Sequence, residues 1–577
     1  MGGNVMIRDG NEASALAFSM EVRERRVLRM DQEVFDILVI GGGITGVGIA
    51  RDAVLRGFKT ALIEKDDFGA GTSSNSSKLV HGGFRYLRQL KFGLVREALV
   101  ERKTLMAVAP HLVHPMRCIL PIYQGSLISE LLVPVGMWLY DLLAFDRRIG
   151  NHRMLSREEL LEMEPAYRRE GLRKGAAYVD CWADDFRLVM STIQSAAQHG
   201  AVVSNYVEAF DAVMEKGRVT GVAAKDRITG KELTIRARAV VNATGPWSDR
   251  VRESLLHEKA QHLRLTKGVH AMVSIEDLPI RHALMQFAVH DGRPIFAIPW
   301  KRVVLLGTTD TDYGADLDHI PTERSDVDYL LESFNHYFPK ARLTHDRVIS
   351  TFVGLRPLIL ETGKPTSEVS REYQIFERPK HFFTIVGGKL TTHRTMAKKM
   401  VDRLVKRLDA SSGVTARNPR CTTGRVPLFG GEIQNFRDFQ AAWIPRLMNR
   451  CHWGEDIAEH LVETHGGNLP SLMAAVERTP DGMERIHPEL PYVWGELTYA
   501  MDHEMALTLS DFLIRRTHMF VFDKSRGRET CQEVADRMER RLGWSAEEKG
   551  AQLEHYAARV RLTQHFQDEI PDSQEKD

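Results

Sequence analysis

The sequence predicts an α/β fold built on a parallel nucleotide-binding sheet whose strands return at intervals along the chain, followed by a helical carboxy-terminal domain. Three observations carry this. An apolar strand pattern at Val34–Ile40 runs directly into a glycine-rich turn; further strand-turn-helix patterns recur at Ala237–Asp249 and His381–Leu404; and helix-forming stretches such as "CQEVADRMERRLGW" dominate beyond Pro427. With 577 residues the chain exceeds what one core supports, so two or three domains and room for a buried cofactor are expected.

The first pattern is the most informative. In "VFDILVIGGGITGVGIARDAVLRGFKTALIEKDD" a strand meets the turn Gly41-x-Gly43-x-x-Gly46, a helix runs to about Gly57, and a second strand, Lys59–Ile63, ends at Glu64. Glycines at these places allow a tight turn, close approach of backbone to a pyrophosphate, and close packing of helix on strand. The helix amino end then faces the anion. Glu64, 18 residues past Gly46, can accept hydrogen bonds from both hydroxyls of an adenosine ribose and repels a 2′-phosphate. A lone glycine motif is weak; strand, turn, helix, strand and acid in one window make a dinucleotide-binding Rossmann unit.

The returning strands favour FAD over NAD, because they suit a substrate domain inserted into the nucleotide domain. In "ARAVVNATGPWSD" a strand leads to Ala243-Thr244-Gly245, where small residues let the chain pass the adenine and pyrophosphate. In "HFFTIVGGKLTTHRTMAKKMVDRL" a strand meets Gly387-Gly388, and Lys389 and Thr391 open a helix whose positive end suits negative charge on a reduced flavin. Each alone is also an ordinary feature of a parallel sheet; the three in this order favour FAD.

Composition excludes several classes. Lys plus Arg, 78, nearly cancels Asp plus Glu, 77, so no global footprint for nucleic acid exists. The five cysteines form no CxxC pair, which argues against metal, iron–sulfur and disulfide frameworks and favours a reducing compartment. There is no EF-hand loop. No uncharged apolar run approaches the roughly 20 residues of a membrane span. Residues 1–33 are polar and expected to form a loosely docked extension. The expected organisation continues with 34–410 for the FAD-binding domain and its interleaved partner, 411–426 as a linker, 427–562 as the helical domain and 563–577 as an acidic, disordered tail.

Taken together, "GGGITGVGIARDA", "GTSSNSSKLVHGGFRYL", "YVDCWADDFRLV", "VVNATGPWSD", "LTKGVHAMV", "FAIPWKRVVLLGTTDTDY", "GLRPL" and "VGGKLTT" resemble, in this order, the FAD-dependent glycerol-3-phosphate dehydrogenases of respiratory membranes. The resemblance runs from Phe35 to Leu404 and continues at "MDHEMALTLSDFLIRRT", Met501–Thr517. It implies a nucleotide domain of the glycine/D-amino-acid oxidase type with an interleaved antiparallel-sheet substrate domain. It also implies that Thr72, Ser73, Ser77, Lys78, Leu79 and His81 contact FAD, with Gly388, Leu390 and Thr391 on the far side, while Arg85 and Tyr86 face the substrate.

A phosphate-bearing substrate with close to two negative charges needs several cations, and a planar guanidinium grips phosphate with two parallel bonds. The candidates are Arg85, Arg356, Arg371 and Lys389. Oxidising a secondary alcohol also needs a base, for which histidine suits neutral pH. His81 and His270 match the family's pocket positions; His81 is the favoured base and His270 the positioning group. One departure is His393, where tyrosine is expected in many relatives. The family further implies transfer of electrons to a quinone, peripheral attachment to the cytoplasmic membrane, for which "SLISELLVPVGMWLYDLLAF" (Ser126–Phe145) is the candidate segment, and a homodimer. The alternatives are a glycerol-3-phosphate oxidase that reduces oxygen to hydrogen peroxide, an amino-acid or amine oxidase of the same fold superfamily, and a flavin-binding scaffold or sensor without turnover.

Overall fold

The strand Val34–Ile40 is buried along nearly its whole length, which requires cover on both faces. In the computed structural model, which describes residues 18–125, 132–145, 149–259, 261–361 and 372–568 without the side chains of 85, 88, 89 and 412, this strand lies inside a sheet of order Tyr373–Glu377, Phe382–Gly387, Glu232–Asn242, Val34–Ile40, Thr60–Ile63, Val202–Ser204. All neighbours are parallel except the first pair. The helix Ile44–Leu55 covers one face, packed between the helices Asp185–Gln198 and His393–Ser412. An antiparallel meander, Val207–Glu215, Arg218–Asp226 and Glu232–Asn242, extends from the same sheet.

The second sheet is assembled from the segments between those strands. Its order is Leu79–Val80, Leu172–Ala183, Val113–Tyr123, Ala283–Phe287, Pro294–Trp300, Val303–Gly307, Leu263–Ser274, Thr311–Asp312, with Val348–Ile359 beside Leu263–Ser274 and Arg153–Ser156 beside Leu172–Ala183. The pairing is antiparallel apart from the contact of Ala283–Phe287 with Val113–Tyr123. The fold is thus α/β, a parallel nucleotide-binding sheet with an interleaved, largely antiparallel second domain, as the resemblance implies.

Helices dominate the carboxy-terminal part, from Phe436–Cys451 to Ala546–Asp568. Leu497, Phe512, Met538 and Tyr556 belong to the same apolar cluster as Leu120, Met272 and Trp300 of the second sheet. The helices therefore share a core with that sheet.

Two terminal expectations fail, each for a physical reason. The extension is not loose from Phe18 onward: Met20–Gln32 is a helix capped by Ser19. Arg23, wholly buried, places its guanidinium 2.5 Å from Asp226 and donates to the Asn205 carbonyl at 3.0 and 3.1 Å. Phe18 is locked between the Asp502 carbonyl and the Met505 amide. At the other end the last helix continues to Asp568, and Phe566 is buried in the core of the second sheet with Leu330 and Phe338. Residues 569–577 and 1–17 lie outside the described residues.

Removing one partner of a buried charge pair leaves the other unpaired, at a cost of about 3–5 kcal/mol. Arg23→Ala is accordingly expected to lower the thermal midpoint by several degrees, whereas Arg29→Ala, whose pair with Glu33 is exposed, changes it little. Scanning calorimetry of both variants checks this, and equal midpoints would show that the segment is only loosely attached.

Candidate active site

A cavity of about 400 Å³ runs along the carboxyl ends of the parallel strands, lined by Gly41, Gly43, Glu64, Ser73, Ala243, Gly245, Gly388 and Leu390 among others; ligand sites are commonly this large. Its floor exists because side chains are missing. A Cβ on Gly41, where φ is +110°, would stand 2.7 Å from the Ala243 carbonyl oxygen, and one on Gly46 only 1.9 Å from the Gly41 carbonyl oxygen. The helix Ile44–Leu55 starts on this floor, with the Ile44 amide donating to Ser73 Oγ at 2.9 Å.

Glu64 lines the cavity and accepts hydrogen bonds from the amides of Gly42 at 2.6 Å and Asp66 at 2.9 Å. Desolvation, and secondly the Asp66 charge, push its pKa up to about 7. On the far wall Gly387 and Gly388 both have positive φ, and a Cβ on Gly388 would meet the Met396 side chain at 2.3 Å. Lys389 and Leu390 lead from there into the helix His393–Ser412.

Some expected contacts are organised differently. The amine of Lys78 does not line the cavity: it is buried, 2.5 Å from Asp185 and 4.8 Å from the centre of the Trp300 ring. Leu79 is buried in the core, Gly46 backs onto the Gly41 carbonyl, and Thr391 Oγ1 accepts from the His81 amide. Ser76 lines the cavity while Ser77 turns to His270. Thr72 lines it too, its hydroxyl donating to the Leu355 carbonyl at 2.6 Å.

Sequence reasoning missed Trp247, Lys65 and Asp318. These form one group in which Asp318 accepts from Lys65 Nζ at 2.6 Å and Trp247 Nε1 at 3.0 Å. The tryptophan in "GPWSD" was a readable signal. Asp318, more than 250 positions from Lys65, had none.

Beside the segment 72–86 stand two groups of candidate residues. In the first, His270 Nε2 lies 2.9 Å from Ser77 Oγ and the ring stacks on Phe352 at 4.7 Å. Gly307 makes room on the other side, since a Cβ there would be 2.2 Å from the ring. Burial, followed by the charges of Arg356 and Lys78, holds the His270 pKa well below its ordinary value. Arg356 donates to Thr308 Oγ1 at 2.9 Å and pairs with Asp310 at 3.2 Å, and its guanidinium occupies the space a Cβ on Gly268 would need.

The second group holds His81, Tyr86 and Lys389. The His81 amide donates to Thr391 Oγ1 at 3.3 Å, the Gly82 amide to Asp180 at 3.0 Å, and Lys389 Nζ sits 3.5 Å over the buried Tyr86 ring. Arg371 and the Arg85 side chain lie outside the described residues. His393 is a packing residue: its Nδ1 lies 2.8 Å from the Leu390 carbonyl oxygen, its ring lies against Gly48, and burial lowers its pKa to about 4.

The glycine cradle, the acid after the second strand and the returning strands fit FAD, and so do the proteins this chain resembles. A model of the family "FAD dependent oxidoreductase" matches residues 36–403, and one of the "C-terminal domain of alpha-glycerophosphate oxidase" matches 421–549. The aerobic glycerol-3-phosphate dehydrogenase of Staphylococcus aureus is 36% identical over 553 residues, 95% of this chain and 98% of that one. The crystal structure of the glycerol-3-phosphate dehydrogenase from Bacillus halodurans complexed with FAD superimposes with a TM-score of 0.80 at 33% identity, covering 96% of this chain and 100% of that one. An L-α-glycerophosphate oxidase from Mycoplasma pneumoniae with FAD bound shares the fold alone, at 17% identity and a TM-score of 0.52 over 69% of this chain and 99% of its own. With similarity of that extent across both parts of the molecule, the chain belongs to the FAD-dependent glycerol-3-phosphate dehydrogenase family.

Proposed function

We propose that the protein oxidises sn-glycerol 3-phosphate to dihydroxyacetone phosphate and passes the electrons to a membrane quinone. What carries this reading is the gathering of two cations, Arg356 and Lys389, and two histidines, His81 and His270, around the segment that forms one side of the FAD cavity. FAD, when bound, supplies the two-electron acceptor for the hydrogen that leaves carbon 2.

The rest of the chemistry is assigned to side chains. Arg356 and Lys389 bind the phosphate, together with Arg85 and Arg371 as the resemblance implies, and Tyr86 lies under the Lys389 amine. His270, kept neutral by burial and nearby cations, is a poor proton acceptor. Its buried Nδ1, without a hydrogen-bond partner among the described residues, suits it to orient the substrate. His81 then takes the proton of the carbon-2 hydroxyl. Glu64 receives the adenosine ribose hydroxyls, and the helix amino end at Ile44 faces the pyrophosphate.

Membrane attachment is supported by one surface. The helix Leu132–Leu143 buries Val133, Met137 and Tyr140 and exposes Leu132, Val135, Trp138 and Leu142. Phe145 follows, and the adjoining helix and turn add Leu90 and Phe92, all exposed. An apolar face with an indole on it suits the headgroup boundary of a bilayer. Among the described residues no helix is long and apolar enough to cross a membrane.

Anaerobic addition of glycerol 3-phosphate is expected to bleach the flavin colour, with fast reoxidation by a quinone analogue, slow peroxide formation, and flotation with liposomes that Trp138→Ser together with Leu142→Ser weakens. Fast peroxide formation with slow quinone reaction would make the protein an oxidase; no bleaching would remove the substrate assignment.

His81→Gln should lower kcat by about 10²–10⁴-fold with FAD content unchanged, while His270→Gln should act mainly on KM. Near-normal turnover of His81→Gln would transfer the base role elsewhere.

Glu64 gives a pH test. Its folded pKa lies above the ordinary 4.5, so its contribution to the stability of the FAD-free protein is full below about pH 4.5 and fades as pH rises through about 7. FAD binding has the opposite dependence, because ribose hydroxyls donate to the ionised carboxylate. FAD affinity should therefore rise between about pH 6 and about pH 8, and fluorescence titration of Glu64→Gln should show a weaker, flat profile.

A further inference from the structure

The motif "MDHEMALTLSDFLIRRT" takes no part in this chemistry, yet it buries four charged side chains, Glu504, Asp511, Arg515 and Arg516. The two arginines converge on Asp67, in the loop Glu64–Ala70 of the nucleotide domain. Asp67 is wholly buried. Its Oδ2 accepts from Arg515 Nε at 2.6 Å and also meets Arg516 Nη1; its Oδ1 accepts from Arg516 Nη2 at 3.1 Å and Asn205 Nδ2 at 3.3 Å. Two consecutive arginines reach one carboxylate because Asp511–Arg516 forms a π-helical turn, a widened geometry often found at functional sites.

The arginines are themselves fixed. Arg515 Nη2 donates to Asp511 Oδ1 at 2.6 Å, which also accepts from Tyr206. Arg516 Nη2 donates to the Glu504 carbonyl at 2.6 Å, and Glu504 Oε1 accepts from Arg187 at 2.6 Å. Arg187, Arg515 and Arg516 thus balance Asp67, Glu504 and Asp511 in a buried network of no net charge, in which no member can move without leaving another unpaired.

The opposite side of the loop is the FAD cavity. Glu64 and Ala70 line it, the Glu64 carboxylate holds the Gly42 amide, and the Gly69 amide donates to the Gly42 carbonyl at 3.0 Å. The loop is clamped between the glycine turn above and the arginines below.

We infer that the helical domain is a positioning element of the FAD site: Arg515 and Arg516, acting through Asp67, hold the loop Glu64–Ala70 in the shape that the adenosine end of FAD requires. This gives the carboxy-terminal motif a role in cofactor binding and rests on that loop lining the FAD site. A loop fixed before FAD arrives loses little freedom on binding.

The test is FAD titration of the full-length protein after flavin removal, read by flavin fluorescence. Asp67→Asn keeps the size of the side chain and removes its charge. Its Kd for FAD should rise about tenfold or more, and the rise in Tm that FAD causes should shrink. In the FAD-saturated enzyme, KM for glycerol 3-phosphate should stay within about twofold. Arg515→Lys, which keeps the charge and loses the fork, should show the same pattern more weakly and serves if Asp67→Asn does not fold. Arg537→Gln, which breaks a pair with Asp481 inside the helical domain, should leave Kd unchanged. A lower Tm with Kd within about twofold of the parent, or an equal loss of FAD affinity in Arg537→Gln, would overturn the inference. Glu64→Gln reports separately on the ribose assignment, because Asp67 acts on the loop whatever Glu64 contributes.

Discussion

The constraint on which the rest of this structure depends is the close approach of the glycine turn to the strand that returns at Ala243. No side chain fits between Gly41 and the Ala243 carbonyl, or between Gly46 and the turn itself. That exclusion lets the helix Ile44–Leu55 begin at the sheet edge, opens the cavity along the strand ends, and sets Glu64 against the Gly42 amide. Moving the turn outward by the width of a methyl group would separate the helix amino end from whatever lies over it.

Around this cradle the chain uses buried charge to join parts that are distant in sequence. Arg23 reaches Asp226, Lys78 reaches Asp185, and Arg515 and Arg516 reach Asp67. Such pairs add little net stability against an apolar alternative, because both ions lose water. Their effect is geometric, since each charge accepts only the partner that is there. They recur where the amino-terminal helix, the two sheets and the helical domain meet.

The two histidines show how position divides similar side chains. His270, stacked on Phe352 and close to Arg356, is held neutral by desolvation and by cations. His81 occupies a half-buried turn whose backbone is fixed by Thr391 and Asp180. Lys389 and Tyr86 are brought together by a loop and a turn from opposite ends of the nucleotide domain. Neither grouping has a local signature.

By itself the sequence determined the features whose physics is local. A run of apolar residues ending in Gly41-x-Gly43-x-x-Gly46 and an acid after the next strand have few other solutions, because backbone sterics and strand and helix periods act over neighbouring residues. The same applies to the returning strands at Ala243 and Gly387, and therefore to the nucleotide domain and its cofactor. Tertiary structure decided which charges are buried and with whom. Polar composition made residues 18–33 look loose and 563–568 look like tail, although Arg23 and Phe566 are both inside. Lys78, which the resemblance places at the cofactor, turns its amine away to Asp185. The physical reason is common to all three: a charge or a ring is stabilised by partners more than a hundred positions away, and only the folded chain brings those partners within reach.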